Sequence, residues 1–174
     1  MKNFTTLLLL ITIFSAFAGN VHAAPAAYAT NVFAIQNTDL RAKALENVFE
    51  RNNSPLVPFA STYISIADKY GIDWRLLPAI AGLESSFGKR QMPNSHNSYG
   101  WGGGYIYFDS YEQGIEIVIA SLKKRYYDRG ADTVYKIAPI YAESPTWAPR
   151  VTIFMNQIEA EYARLETHSL ELTI

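Results

Sequence analysis

Apolar residues recur at every third or fourth position over most of the chain after residue 38, which is the spacing of amphipathic helices. Each of these segments has one apolar face, and together the faces predict helices that share a core. We expect long helices at residues 39–50, 59–70, 111–127 and 147–164, and a short helix or turn at residues 133–138.

Residues typical of helix ends separate these segments. The run Asn52-Asn53-Ser54-Pro55 breaks the chain after the first helix, and Gly71 suits the left-handed position that ends the second. Ser110, followed three residues later by Gln113, has the form of a capping box and predicts the start of a helix.

The segment at residues 73–87 has a different pattern. No side chain from Leu76 to Leu83 is polar, and a helix that is apolar on all sides is buried. Pro78 has no backbone N–H, which predicts an irregular first turn and a regular helix from Pro78 onwards. Gly88 is expected to close this helix.

Residues 94–104 are rich in glycine, asparagine and serine and predict a loop. A weak alternation from Tyr105 to Phe108 favours one short strand. The pattern as a whole predicts a mainly α fold, a single helical domain with at most a minimal β-hairpin.

The composition fits a folded domain and excludes several classes of function. Of the 174 residues, 49% are hydrophobic, and a net charge of −1 argues against a nucleic-acid-binding protein. The absence of cysteine excludes disulfides, thiolate metal sites and cysteine nucleophiles, and three histidines leave little for a metal cluster. We therefore predict neither a metal nor a cofactor.

The first residues are typical of a secretory signal peptide. Lys2 precedes an apolar run from Phe4 to Ala18, and Val21-His22-Ala23 fits a signal-peptidase site. The run is shorter than the roughly 20 apolar residues of a membrane anchor. We expect a signal peptide at residues 1–23, a flexible lead-in at 24–38, one domain at 39–165 and a frayed tail at 166–174, in a secreted or periplasmic protein.

Glu84 directly follows the apolar run of the buried helix. Burial and the negative end of the helix dipole would both favour the protonated carboxyl group. A general acid needs such a group, and cleavage of a glycosidic bond uses one beside a cleft, which the loop at residues 94–104 would supply. The alternative is that Glu84 only emerges from the core at the helix end and is solvated.

Four blocks of sequence resemble the lysozyme-like superfamily, in particular its glucosaminidase-like (mannosyl-glycoprotein endo-β-N-acetylglucosaminidase-like) family and the related soluble lytic transglycosylases. The first block, residues 70–88, ends in Glu84-Ser85-Ser86-Phe87-Gly88 and resembles the family's catalytic helix. The others follow in family order and are Asn97-Ser98-Tyr99-Gly100-Trp101, residues 108–115, and Tyr141-Ala142-Glu143-Ser144-Pro145-Thr146-Trp147-Ala148.

The resemblance implies a lysozyme-like fold in which Glu84 is the catalytic acid and Tyr141 reaches back towards it. It also implies that Tyr99, Gly100 and Trp101 line the substrate cleft. Ser85 is a candidate to hydrogen-bond the substrate or Glu84, although a serine near a helix end often bonds its own backbone.

The implied partner is the peptidoglycan glycan strand, and the implied reaction is cleavage of its N-acetylglucosamine/N-acetylmuramic acid backbone. Two alternatives stay open: a lytic transglycosylase that gives 1,6-anhydro products, and a non-catalytic peptidoglycan-binding module.

The chain departs from the family pattern directly after the block Asn97-Ser98-Tyr99-Gly100-Trp101. Many family members have a longer insertion there, a small β-lobe that presents a second carboxylate, whereas here only Gly102 to Phe108 separate the loop from the next helix. Asp109 and Glu112 are the nearest acids, and whether either acts as a second carboxylate stays open.

Three further features have simpler structural interpretations. Trp147 is expected to anchor the last helix to the core, and His96 to be a solvated loop residue. The basic run Lys123-Lys124-Arg125 is expected to form a solvated helix face, with contact to an anionic wall polymer as the alternative.

Overall fold

The computed structural model describes residues 39–172. Over this range the chain forms six α-helices and no strand, which confirms the mainly α fold. Two 3₁₀ turns, Val57–Phe59 and Tyr127–Arg129, join helices. The helices are α1 (Leu40–Arg51), α2 (Ala60–Tyr70), α3 (Leu76–Ser85), α4 (Tyr111–Arg125), α5 (Val134–Tyr141) and α6 (Trp147–Glu171).

Helix α3 lies in the core, as its all-apolar pattern predicts. Every residue from Leu76 to Gly82 is buried, and α3 and α1 both pack along α6. Gly82 permits the close approach of α3 to α6, because a Cβ atom there would lie 2.7 Å from Cδ1 of Phe154 on α6. This packing fixes the C-terminal end of α3, and with it Glu84, relative to the start of α6.

Both ends of α3 differ from the prediction. The helix begins at Leu76 rather than Pro78, because the first four N–H groups of a helix have no intrahelical acceptor and a proline among them costs little. It ends at Ser85 rather than at residue 87, because Ser86 and Phe87 both adopt left-handed backbone, with φ values of 53° and 58°. The chain therefore turns sharply away directly after Glu84 and Ser85.

Other predicted helix ends agree with the structure. Gly71 ends α2 with a φ of 62°, and the Ser110 hydroxyl caps α4 by accepting the N–H of Gln113. The Gln113 side chain completes the cap on Asp109 rather than on Ser110, because its Oε1 accepts the N–H of Asp109 at 2.7 Å. Asp109 is thus a capping residue of α4.

The short strand predicted at residues 105–108 does not form. The N–H of Phe108 donates to the carbonyl of Ser95 at 2.9 Å, and the amide Nδ2 of Asn97 donates to the carbonyl of Ile106 at 2.9 Å. A side chain therefore takes the backbone acceptor that a neighbouring strand would use. The segment is an irregular loop folded around Asn97.

Helix α6 continues to Glu171, so its predicted end at Arg164 is wrong, and most of the predicted tail is helical. Neither glycine nor proline interrupts this stretch, and the Tyr162 hydroxyl donates to Glu166 one turn later at 2.6 Å. The periodic apolar stripe ends before the helix does, which is why its length was underestimated.

The predicted signal peptide at residues 1–23 and lead-in at 24–38 lie outside the described residues. None of the described helices combines the length and the apolar character needed to span a membrane.

A buried carboxylate joins the first and last helices. Glu161 on α6 is only 6% exposed and accepts hydrogen bonds from Arg164 at 2.7 Å, from Asn47 at 2.7 Å and from Arg51 at 2.8 Å. The Arg164 guanidinium, followed by Asn47 and Arg51, lowers the pKa of Glu161 to about 2. The ionised form therefore stabilises the folded protein.

We expect Glu161→Gln to lower the free energy of unfolding by about 2 kcal/mol at pH 7, a value reduced from the full pKa shift because both arginines are half exposed. The native pKa lies below that of an unfolded glutamate, so the difference from wild type should shrink as the pH falls from about 5 towards 2. Urea unfolding at several pH values measures it. Glu159 lies on the same helix as Glu161 and pairs with Arg75, but it is much more exposed than Glu161. The control variant Glu159→Gln should therefore lower the free energy of unfolding by less than about 0.5 kcal/mol.

Candidate active site

A cleft opens where the C-terminal end of α3 meets the loop of residues 97–104 and the junction of α5 with α6. Its volume is about 480 Å³, and aromatic side chains and glycine backbone form most of its surface. Its walls include Glu84, Trp101, Arg125, Tyr126, Tyr141 and Trp147. The cleft thus brings together residues from separate segments of the chain.

The carboxyl group of Glu84 faces this cleft from the last turn of α3. The residue is exposed, so the expectation that it is buried with the rest of the helix is not met. Its Oε1 accepts a hydrogen bond from the indole Nε1 of Trp147 at 3.2 Å. Glu84 is therefore positioned by a donor from α6 and is open to a ligand in the cleft.

Gly100 lets the loop backbone pass close to this carboxyl group. Its φ of 62° lies in the left-handed region, and a Cβ atom at this position would be 3.3 Å from Oε2 of Glu84. A side chain here would both strain the backbone and press on the carboxylate. The loop thus forms one wall of the cleft directly beside Glu84.

Tyr141, at the end of α5, packs beside Glu84 as part of an aromatic group. Its ring centroid lies 4.6 Å from that of Trp147 at an interplanar angle of 30°, and 6.0 Å and 6.2 Å from those of Tyr126 and Trp101. Burial and, second, the nearby Glu84 carboxylate raise the pKa of the Tyr141 phenol. The phenol therefore stays protonated at neutral pH and can donate a hydrogen bond into the cleft.

Trp101 is held in the cleft wall by a single side chain. Asn97, which is buried, accepts the N–H of Trp101 on Oδ1 at 3.0 Å and donates from Nδ2 to its carbonyl at 2.9 Å. The guanidinium Cζ of Arg125 lies 5.6 Å from the centroid of the Trp101 ring. Asn97 thus fixes the backbone of Trp101, and the indole ring contacts Arg125 and Tyr141.

Two of the predicted site residues point into the core instead of the cleft. Ser85 is 3% exposed, and its hydroxyl donates to the carbonyl of Ser98 at 2.7 Å and accepts the N–H of Gly88 at 2.7 Å. Tyr99 borders the cleft but is 1% exposed, and its hydroxyl shares a 2.7 Å hydrogen bond with that of Tyr63. Ser85 holds the loop against α3, and Tyr99 holds it against α2, so both hydroxyl groups are used inside the protein.

The two acids considered as a second carboxylate lie away from the cleft. Asp109 accepts the side-chain amide of Gln113 at 2.8 Å in the cap of α4, and Glu112 is an exposed residue in the first turn of that helix. Among the cleft-lining residues of the described range, Glu84 is the one carboxylate. No group of three or more His, Asp or Glu side chains within residues 39–172 could hold a metal ion.

Sequence reasoning missed two polar contributors to the cleft. Trp147 packs in the core as expected, but its indole N–H is directed at Glu84. Arg125 is exposed, as expected of the basic run, but it also lines the cleft. The segment at residues 141–148 already carried a signal for Trp147, but nothing in a run of three basic residues distinguishes the one that borders the cleft.

No protein-family model and no curated protein matches this chain significantly. The lysozyme-like resemblance of the four sequence blocks therefore remains a hypothesis, and the function has to be argued from the cleft.

Proposed function

We propose that this protein is an exported glycosidase that cuts the N-acetylglucosamine/N-acetylmuramic acid backbone of peptidoglycan, with Glu84 as general acid. The observation that carries the proposal is a single carboxyl group in an open cleft, hydrogen-bonded by Trp147 and bordered by aromatic faces. Aromatic rings pack on the apolar faces of sugar rings, and the carboxyl group supplies the proton that a glycosidic oxygen needs to leave.

The cleft supports a mechanism with one acid. Glu84 protonates the leaving glycosidic oxygen, and the Tyr141 phenol stabilises the oxocarbenium-like sugar together with the neighbouring N-acetyl group of the substrate. The Glu84 carboxylate then accepts a proton from the group that attacks the anomeric carbon. A retaining hydrolase with two carboxylates holds them about 5–5.5 Å apart, and no second carboxylate lines the described cleft.

The attacking group decides between two reactions. Attack by water gives a reducing end and makes the protein a hydrolase of the endo-β-N-acetylglucosaminidase type. Attack by the 6-hydroxyl of the same sugar gives a 1,6-anhydro product and makes it a lytic transglycosylase. Mass spectrometry of fragments released from purified peptidoglycan tests both, because the anhydro fragment is lighter by one water. Release of no fragment, at any pH between 4 and 8, would contradict the proposal.

A non-catalytic peptidoglycan-binding module is the second candidate, and the exposure of Glu84 is the observation that favours it. An exposed carboxyl group in a cleft can accept hydrogen bonds from the hydroxyl groups of a bound glycan without transferring a proton. Retention on insoluble peptidoglycan without fragment release would establish this candidate. The absence of both retention and release would contradict both candidates.

We expect Trp147→Phe to lower the rate of glycan cleavage about 10-fold, because it removes the hydrogen bond that positions the Glu84 carboxyl group in the cleft. The phenylalanine ring keeps most of the packing against Tyr141, so the midpoint of thermal unfolding should change little. Initial rates of fragment release measure the effect. Trp74→Phe makes the same chemical change in an aromatic pair with Tyr162, outside the cleft, and should leave the rate unchanged.

A further inference from the structure

The cleft contains a second charged side chain, Arg125, that the proposed reaction does not use. Arg125 is the last residue of α4 and lies over the Trp101 ring at 5.6 Å from its centroid. A guanidinium in this position is attracted by the ring face and keeps its N–H edges available to other groups. Asn97 holds the backbone of Trp101 on both sides, so the residue beneath the guanidinium has a fixed place in the loop.

Arg125 has no carboxylate partner within residues 39–172. Arg41 and Arg75, in contrast, each pair with two carboxylates, and Lys123 on the same helix pairs with Asp128 at 3.0 Å. Glu84, the other charged residue of the cleft, is not within ion-pair distance of it either. Within the described residues, the guanidinium of Arg125 is therefore available to an acidic group of a ligand in the cleft.

We propose that Arg125 binds a carboxylate carried by the glycan strand and so selects acidic over neutral glycans. This inference rests on the proposed function and names the part of the substrate that the aromatic walls cannot distinguish. A planar guanidinium matches a carboxylate with two parallel N–H···O bonds. N-acetylmuramic acid differs from N-acetylglucosamine by a lactyl group that ends in a carboxyl. Where a stem peptide is attached, that carboxyl forms an amide, and the peptide supplies carboxylates of its own.

The separation of roles within the cleft supports this assignment. Glu84 must approach the glycosidic oxygen, so the acidic substituent of the strand has to lie elsewhere in the cleft. The guanidinium on Trp101 offers that substituent a position apart from the acid, because no ion pair joins Arg125 to Glu84. The two side chains thus contact different groups of the strand and together fix its direction in the cleft.

The test measures binding of peptidoglycan strands to Glu84→Gln protein, which keeps the strands intact. Four soluble probes are used: strands freed of peptide, peptide-bearing strands, and the form of each in which the carboxyl groups are converted to methylamides. We expect Arg125→Gln to weaken binding of the acidic strands about 10-fold and of the methylamide strands less than twofold. Lys124→Gln removes the neighbouring charge, which does not line the cleft, and should leave all affinities within about twofold.

The pattern of losses decides the outcome. A loss confined to peptide-free strands identifies the lactyl carboxylate, and one confined to peptide-bearing strands identifies the stem peptide. Equal losses on acidic and methylamide strands, or no loss on either, would overturn the proposal.

Cutting of the same strands is measured with the wild-type protein. If the strands are cut but their binding does not depend on Arg125, only this inference is contradicted. If binding of acidic strands depends on Arg125 but no strand is cut, only the proposed function is contradicted. Binding of no strand contradicts both.

Discussion

Replacement of Glu84 by glutamine is expected to abolish cleavage of peptidoglycan, with a rate loss of at least about 100-fold, since a general acid contributes about 10²–10⁴. The amide has nearly the shape of the carboxyl group and can still accept the indole N–H of Trp147, which lies at 3.2 Å. It cannot donate a proton to the leaving oxygen or take one from the attacking group. Loss of turbidity of a cell-wall suspension and release of soluble fragments both measure the rate.

Matched variants of the two other candidate acids complete this experiment. Glu112→Gln and Asp109→Asn should leave the rate within about twofold, because neither residue lines the cleft. The asparagine retains an oxygen that can accept the Gln113 amide, so the cap of α4 is preserved. If Glu84→Gln clears walls as fast as wild type, the catalytic assignment is wrong. A large loss in Glu112→Gln alone would instead indicate a second carboxylate brought in by movement of α4.

Local patterns were sufficient to predict most of the fold. The all-apolar run of α3 predicted its burial, because a helix has no polar face to turn to water, and Gly71 and Ser110 marked helix ends by their own backbone chemistry. The failures have local causes too. Ser86 and Phe87 adopt a left-handed backbone that their residue types disfavour. The residue types at these positions therefore do not predict the early end of α3.

The candidate site was predictable only in part, because its geometry depends on contacts between distant parts of the chain. The sequence blocks pointed to Glu84 and Tyr141, and both lie in the cleft. The hydrogen bond from Trp147 to Glu84 joins residues 63 positions apart, and helical spacing carries no information about such a contact. The sequence of the loop likewise does not predict the orientation of Tyr99, whose hydroxyl bonds that of Tyr63 in the core.

Exposure of Glu84 was the consequential difference from the prediction. The chain leaves the helix axis at Ser86, and the loop of residues 97–104 passes beside the carboxyl group at Gly100 without burying it. The path of this loop is a tertiary feature, and the apolar pattern of α3 carries no information about it. In the proposed reaction, a bound strand would exclude water from the carboxyl group.

Gly100→Ala is expected to reduce cleavage at least about 10-fold, because a misplaced reacting group of the order of 1 Å can cost about 100-fold. The new Cβ atom would stand 3.3 Å from Oε2 of Glu84, tighter than ordinary contact, and the carboxyl group is the part that can move. The alanine would also strain a backbone with φ at 62°, at a cost of about 1–2 kcal/mol. Rates of fragment release and urea unfolding measure the two effects separately.

Gly71→Ala separates backbone strain from displacement of the acid. Gly71 has the same φ of 62°, and its added Cβ would meet no atom within 4 Å. The two variants should therefore lose similar stability, while only Gly100→Ala loses activity. If Gly71→Ala is equally inactive, the loss reflects general destabilisation rather than displacement of the acid. If Gly100→Ala is as active as wild type at equal stability, the position of the Glu84 carboxylate beside the loop does not limit the reaction, and the one-acid mechanism loses its geometric basis.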